Sequence, residues 1–137
     1  MKGAIMEPRI TLLTLGVDDL ERSLQFYRDG LGLPTDGIEQ DVVFFKLQGA
    51  WISLYRNDSL ARDVGLGPRA KGFGGITIAH NVREREEVDA LLDRAQRAGA
   101  TIPSPAREMD WGGYVGYFAD PDGNVWEIAW NPHFWVE

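Results

Sequence analysis

Apolar positions along this chain follow two periods, and the places where one gives way to the other mark its elements. Residues 10–17 are leucine-rich and apolar on both faces, which predicts a buried strand. Asp18 follows as an N-cap with Glu21 as its capping-box partner, and Leu20, Leu24, Tyr27 and Leu31 recur at helical spacing. The spacing predicts an amphipathic helix of about three turns. Gly30 and Gly32 stop it, and Pro34 keeps it from resuming. Residues 42–47 and 51–55 read as strands joined at hairpin length through Gln48, Gly49 and Ala50, with a weaker strand signal over residues 35–39. Residues 57–75 break every period. Their Asn, Asp, Arg, Pro and five glycines predict a long loop with one helical turn near residues 59–64. Loops of that length in small domains are usually lids or linkers.

The same succession then begins again. Residues 76–82 predict a second strand, Asn81 a second N-cap, and Glu84 its capping-box partner. Val88, Leu91, Leu92, Ala95 and Ala98 form a second apolar stripe, closed by Gly99. Strands near residues 113–118 and 125–130 are joined by Asp120-Pro-Asp-Gly123, where Pro121 presets φ and Gly123 tolerates a positive one. Aligning Val17 with Val82 matches Leu12 with Thr77, and aligning the last strands matches Ser53 with Glu127. Two βαβββ modules, residues 9–56 and 75–132 with a connecting loop at 57–74, are the simplest account of this repeat. The expected fold is α+β, one domain over residues 1–137, its two modules forming a curved mixed sheet around a central cleft. By strand parity Leu12, Thr14, Ser53, Tyr55, Thr77, Ala79, Glu127 and Ala129 share the inner face. Glu127 stands mid-strand beside Trp126, where a carboxylate is costly unless something uses it.

Composition narrows the function classes. A chain of 137 residues with 44% hydrophobic and 26% charged content is that of a soluble globular protein. Its formal charge of −7 and scattered Lys and Arg argue against a nucleic-acid partner. No apolar run approaches the roughly 20 residues of a membrane span, and residues 1–8 lack the apolar segment of a signal peptide. Without cysteine there is no disulfide, thiolate nucleophile or thiolate metal site, which fits a cytoplasmic setting.

Two stretches carry a resemblance. Gly16-Val-Asp-Asp-Leu-Glu-Arg-Ser-Leu-Gln-Phe-Tyr27 with Leu31-Gly-Leu33, and Phe118-Ala-Asp-Pro-Asp-Gly-Asn-Val-Trp-Glu127, resemble the vicinal oxygen chelate superfamily of glyoxalase I, bleomycin-resistance proteins and extradiol dioxygenases. The resemblance implies paired βαβββ modules around a central site, often completed in a homodimer. Metal-using members carry ligands, usually His and Glu, at four positions that fall here at Leu12, Ser53, Thr77 and Glu127. Only Glu127 is a good ligand, since Leu cannot coordinate and Ser or Thr hydroxyls bind such ions poorly. No metal or other cofactor is therefore expected.

Glu127 is read as the catalytic candidate, an acid or base for proton transfer, or as the hydrogen-bond anchor of a ligand. A structural pairing with an arginine such as Arg56, or with Tyr and Trp donors, is the alternative. Trp111, Tyr114 and Tyr117, interleaved with three glycines, predict an aromatic wall for a flat ligand or a subunit contact. Leu12, Ser53, Tyr55 and Thr77 complete the expected ligand-binding set. His80 is expected as a satisfied structural histidine on the helix-facing side, and His133 as a terminal contact. Gly72-Phe-Gly-Gly75 precedes a strand, so it has no helix dipole to offer a phosphate. Arg83, Arg85, Arg94 and Arg97 read as a solvated helix face. The expected function is a glyoxalase/bleomycin-resistance-like protein, a homodimer binding a small, partly hydrophobic molecule in a metal-free cleft. A metal-dependent lyase, isomerase or dioxygenase, and a non-catalytic dimeric interaction module, are the alternatives.

Overall fold

The structure, a computed structural model, describes residues 6–133; residues 1–5, read above for a targeting signal, lie outside them. Strand β1 (Leu12–Val17) leads into helix α1 (Leu20–Leu24), which continues as a π-helical turn over Gln25–Gly30. Strands β2 (Ile38–Glu39), β3 (Val42–Phe45) and β4 (Trp51–Arg56) complete the first module, and helix α2 (Asn57–Val64) follows β4 without a break. The second module is β5 (Thr77–Asn81), α3 (Glu86–Arg97), β6 (Thr101–Glu108), β7 (Tyr114–Ala119) and β8 (Val125–Trp130). Each module forms a four-stranded mixed sheet in the same order, β1-β4-β3-β2 and β5-β8-β7-β6. In both, the first strand runs parallel to the last and the other pairs are antiparallel. Thr14 pairs with Ser53 and Ala79 with Glu127, so the internal repeat seen in the sequence is also a repeat of register.

Local chemistry moved several boundaries. The N-cap of α1 is Asp19 rather than Asp18, its carboxylate accepting from the Arg22 amide at 3.1 Å. Asn81 belongs to β5 instead of capping α3; Arg85 stands at the helix start without a side-chain cap, and Glu87 accepts from the Arg83 and Glu84 amides just ahead of it. Strand β6 had no sequence signal because Pro103 and Pro105 interrupt it. It is the edge of its sheet, with register shifts, where missing amide donors are tolerated. The loop after β4 begins with two turns of helix rather than one.

The modules join through α1. Its π turn brings two consecutive residues, Phe26 and Tyr27, into one core, 3% and 0% exposed. Tyr27 meets Phe45 of its own sheet and Trp126 of the other, while Phe26 meets Phe118. At the far end Gly30 lies so close to α3 that an added Cβ would stand 2.5 Å from Ala98 Cβ. There Arg94 also donates to the Gly30 carbonyl at 2.8 Å, so this arginine joins the helices rather than only facing solvent.

The turn between β7 and β8 locks onto the same helix. The buried Asp120 carboxylate accepts the Asp122 and Asn124 amides on Oδ1, at 2.9 and 2.8 Å. Its Oδ2 accepts the Tyr27 hydroxyl at 2.6 Å and Asn124 Nδ2 at 2.9 Å. Tyr27 accepts in turn from Trp126 Nε1 at 3.1 Å. Asp122 reaches the start of α1, accepting from the Asp18 amide, Arg22 and Ser23. Both stretches that carry the resemblance therefore meet at one polar joint between the modules.

Gly116 marks the tightest packing in β7. A Cβ there would sit 2.4 Å from Leu92 Cδ1 and 3.0 Å from the Ala106 amide nitrogen. The leucine can rotate away, but the β6 backbone cannot. Gly116→Ala is expected to cost about 1–3 kcal/mol by overpacking, read as a lowered urea midpoint at unchanged slope.

Candidate functional site

Sheet parity sets the inner face of the second module. Tyr117 pairs with Glu127, and Glu127 with Ala79, so the three stand in one row across β7, β8 and β5. The Tyr117 hydroxyl donates to Glu127 Oε2 at 3.1 Å. Burial is the larger cause of a raised Tyr117 pKa and the carboxylate beside it adds to it, while Arg107 opposes both. The phenol therefore stays protonated at neutral pH and holds one carboxylate oxygen. Glu127 is half-buried, and Oε1 takes no hydrogen bond among the described residues.

Before this row lies a cavity of about 1350 Å³. Thr77, Tyr117 and Val125 supply its sheet side; α2 contributes Arg56 just before its start, then Ala61 and Arg62; the following loop adds Leu66, Arg69, Lys71 and Phe73. A smaller cavity of about 400 Å³ lies between Thr14 and Gly16 of β1 and the apolar Leu60, Ala61 and Val64 of α2. A Cβ on Gly16 would stand 2.1 Å from Asn57 Oδ1, so a larger residue would displace the Asn57 side chain that donates to Asp18.

The other expected residues divide by position. Thr77 and Tyr117 line the large cavity, with Glu127 one hydrogen bond behind. Ser53 is 2% exposed and shares a 2.7 Å hydrogen bond with the Thr14 hydroxyl. The Tyr55 hydroxyl donates to Asp63 of α2 at 2.9 Å, and this bond is the first cause of its raised pKa. Leu12 is half-buried at the start of β1. The aromatic wall does not assemble. Tyr114 lies three residues from Tyr117 on one strand, hence on the opposite face, where its hydroxyl donates to Asp89 of α3 and Arg85 stands 4.0 Å over its ring. Trp111 is 45% exposed in the turn before β7, its carbonyl against His133 Nε2, and Gly113 makes room for its indole. His80 pairs with Ile128 and so faces the helix side of its sheet.

At the four positions where the resemblance implies metal ligands, the donor set is poor. Among the described residues no three His, Asp or Glu side chains converge to hold an ion. Of the four positions, Ser53 is engaged by Thr14, Leu12 has no donor, Thr77 offers a neutral hydroxyl, and Glu127 alone offers charge. The residues present do not fit a bound metal.

Fold and site together define a paired-βαβββ protein with an inner-face carboxylate beside a large open cavity. Residues 9–128 match the Glyoxalase/Bleomycin resistance protein/Dioxygenase superfamily, and the chain belongs to that family. It is similar to a glyoxalase-related enzyme from Fulvimarina pelagi, at 35% identity and a TM-score of 0.88 over 96% of this chain and 94% of that one. The uncharacterized protein YraH of Bacillus subtilis is 28% identical over 88% of this chain and 96% of its own. The metallothiol transferase FosB of Shouchella clausii is 25% identical over 87% of this chain and 77% of its own. No helix among the described residues is long and apolar enough to cross a membrane.

Proposed function

We propose that this chain binds a small, partly apolar organic molecule on the inner face of its second module, with Glu127 as hydrogen-bond acceptor and without a metal. The observation that carries the reading is the Tyr117–Glu127 pair at the edge of a 1350 Å³ cavity. An oriented carboxylate with one free oxygen can fix a donor on a ligand, and it is the group to take a proton if the ligand is turned over. Thr77 adds a hydroxyl, and Val125, Leu66 and Phe73 add apolar surface. Membership beside a glyoxalase-related enzyme and a metallothiol transferase supports a small-molecule role.

In this reading a second copy of the chain covers what one chain leaves open. Thr14, Thr77 and Ala79 are exposed on the inner faces, and Trp51, Phe73 and Ile76 are large apolar side chains left in solvent. Light scattering behind size exclusion is expected to give twice the 15.3 kDa chain mass; a monomer at micromolar concentration would contradict the dimer.

Binding is tested by a fragment screen followed by amide chemical shifts. Hits are expected to perturb Thr77, Tyr117 and Glu127 together. Glu127→Gln, which keeps shape but not charge, is expected to weaken donor-bearing hits about tenfold. Hits that map elsewhere and ignore the substitution would rule this site out.

A further inference from the structure

Resting on that reading of the site, we propose that its ligand is an organic anion, whose carboxylate or phosphate end is held by Arg56, Arg62, Arg69 and Lys71. The chain as a whole carries −7, yet these four of its 14 basic side chains line one cavity. None of the four forms an ion pair among the described residues. Arg69 lends one Nη to the Gly16 carbonyl at a long 3.3 Å and keeps its other donors.

Of the acids along the same wall, one is paired with a cation and two accept from neutral donors. Asp122 is buried and accepts from Arg22, Ser23 and the Asp18 amide. Asp18 accepts from Asn57 Nδ2 at 2.8 Å, and Asp58 accepts from the Ser59 amide at the start of α2. Asp18 and Asp58 keep their charge, but three guanidinium groups and one ammonium outnumber them in the lining, and these are the groups that bind carboxylate and phosphate oxygens by charge-assisted hydrogen bonds. The loop after α2 adds Leu66 and Phe73, the sheet side adds Val125, and Tyr117 lines the cavity with its hydroxyl on Glu127. The lining thus combines an excess of cationic groups with apolar surface, and the Glu127 acceptor lies one hydrogen bond behind it. A neutral solute would leave that cationic excess unanswered, and a cation would be repelled by it.

The test is calorimetric titration of the full chain with four probes of one ring size: phenyl phosphate, benzoate, benzyl alcohol and benzylamine. Both anions are expected to bind about tenfold tighter than benzyl alcohol at low ionic strength, an advantage that shrinks as salt rises. Phenyl phosphate bound tighter than benzoate would assign the natural group as a phosphate, and the reverse as a carboxylate. The triple variant Arg62→Gln, Arg69→Gln, Lys71→Gln changes only exposed side chains outside the core and is expected to lose the anion advantage while still binding benzyl alcohol. Equal binding of all four probes, or an anion advantage that survives the triple substitution, overturns the proposal and leaves the Glu127 site standing. No binding by any probe overturns both.

Discussion

Asp120→Ala is expected to lower the unfolding free energy by about 3 kcal/mol or more. The carboxylate accepts four hydrogen bonds, two from backbone amides, one from Asn124 and one from the Tyr27 hydroxyl. The Tyr27 residue is 0% exposed, so no water replaces the lost acceptor, and a buried unsatisfied hydroxyl carries its full desolvation cost. Truncation also frees the turn that carries Asp122, whose carboxylate anchors the start of α1. Asp120→Asn keeps an acceptor oxygen and is expected to lose less. Urea unfolding of the three proteins checks the order, wild type above Asn above Ala. A loss under 1 kcal/mol for the alanine variant would show that the joint does not bind the modules together.

Raising the pH above 10 is expected to destabilise the fold through Tyr27. Burial is the largest cause that lifts this phenol well above its usual 10.0, and the Asp120 carboxylate beside it adds to the shift. The protonated phenol is the neutral form. Below pH 10 both folded and unfolded chains hold the proton, and the stabilisation is complete. Above it the unfolded chain ionises while the folded chain does not, so the unfolded state binds fewer protons and stability falls as pH rises. The limiting slope is about 1.4 kcal/mol per pH unit for one such group. Tyr55, Tyr114 and Tyr117 also titrate upward, so the wild-type slope holds their contributions too. Tyr27→Phe isolates the buried one: it is less stable at pH 7 but loses less between pH 10 and 12. Parallel curves for the two proteins would contradict this assignment.

What could be read in the sequence was what repeats or alternates. The two modules, the inner-face parity of Ser53 and Glu127 and the stripes of α1 and α3 all follow from periods of two and 3.6. Residues whose role is set across the fold could not be read in that way. Phe26 falls outside the α1 stripe and is buried only because the second module meets it there. Asp120 and Asp122 read as turn residues, whereas their partners lie about a hundred positions away. Pro103 and Pro105 hid an edge strand. Tyr114 was within reach of parity, which already separates it from Tyr117. The basic lining of the cavity had no local signal at all, because Arg56 and Lys71 are brought together only by the path of α2 and the loop behind it.

Family membership raises the expectation of a metal, and the donor set speaks against one. One carboxylate, two hydroxyls and a leucine leave an ion most of its shell as water. The same carboxylate, braced by a phenol that lines the cavity, suits an organic guest. The most direct measurement is the metal content of protein purified after growth with added Zn²⁺, Ni²⁺, Mn²⁺ and Fe²⁺, paired with ligand titration before and after chelation. Substoichiometric metal, with an unchanged dissociation constant in chelator, is the expected result. One tightly held ion per chain that disappears in Glu127→Ala, together with ligand binding lost on chelation, would contradict it.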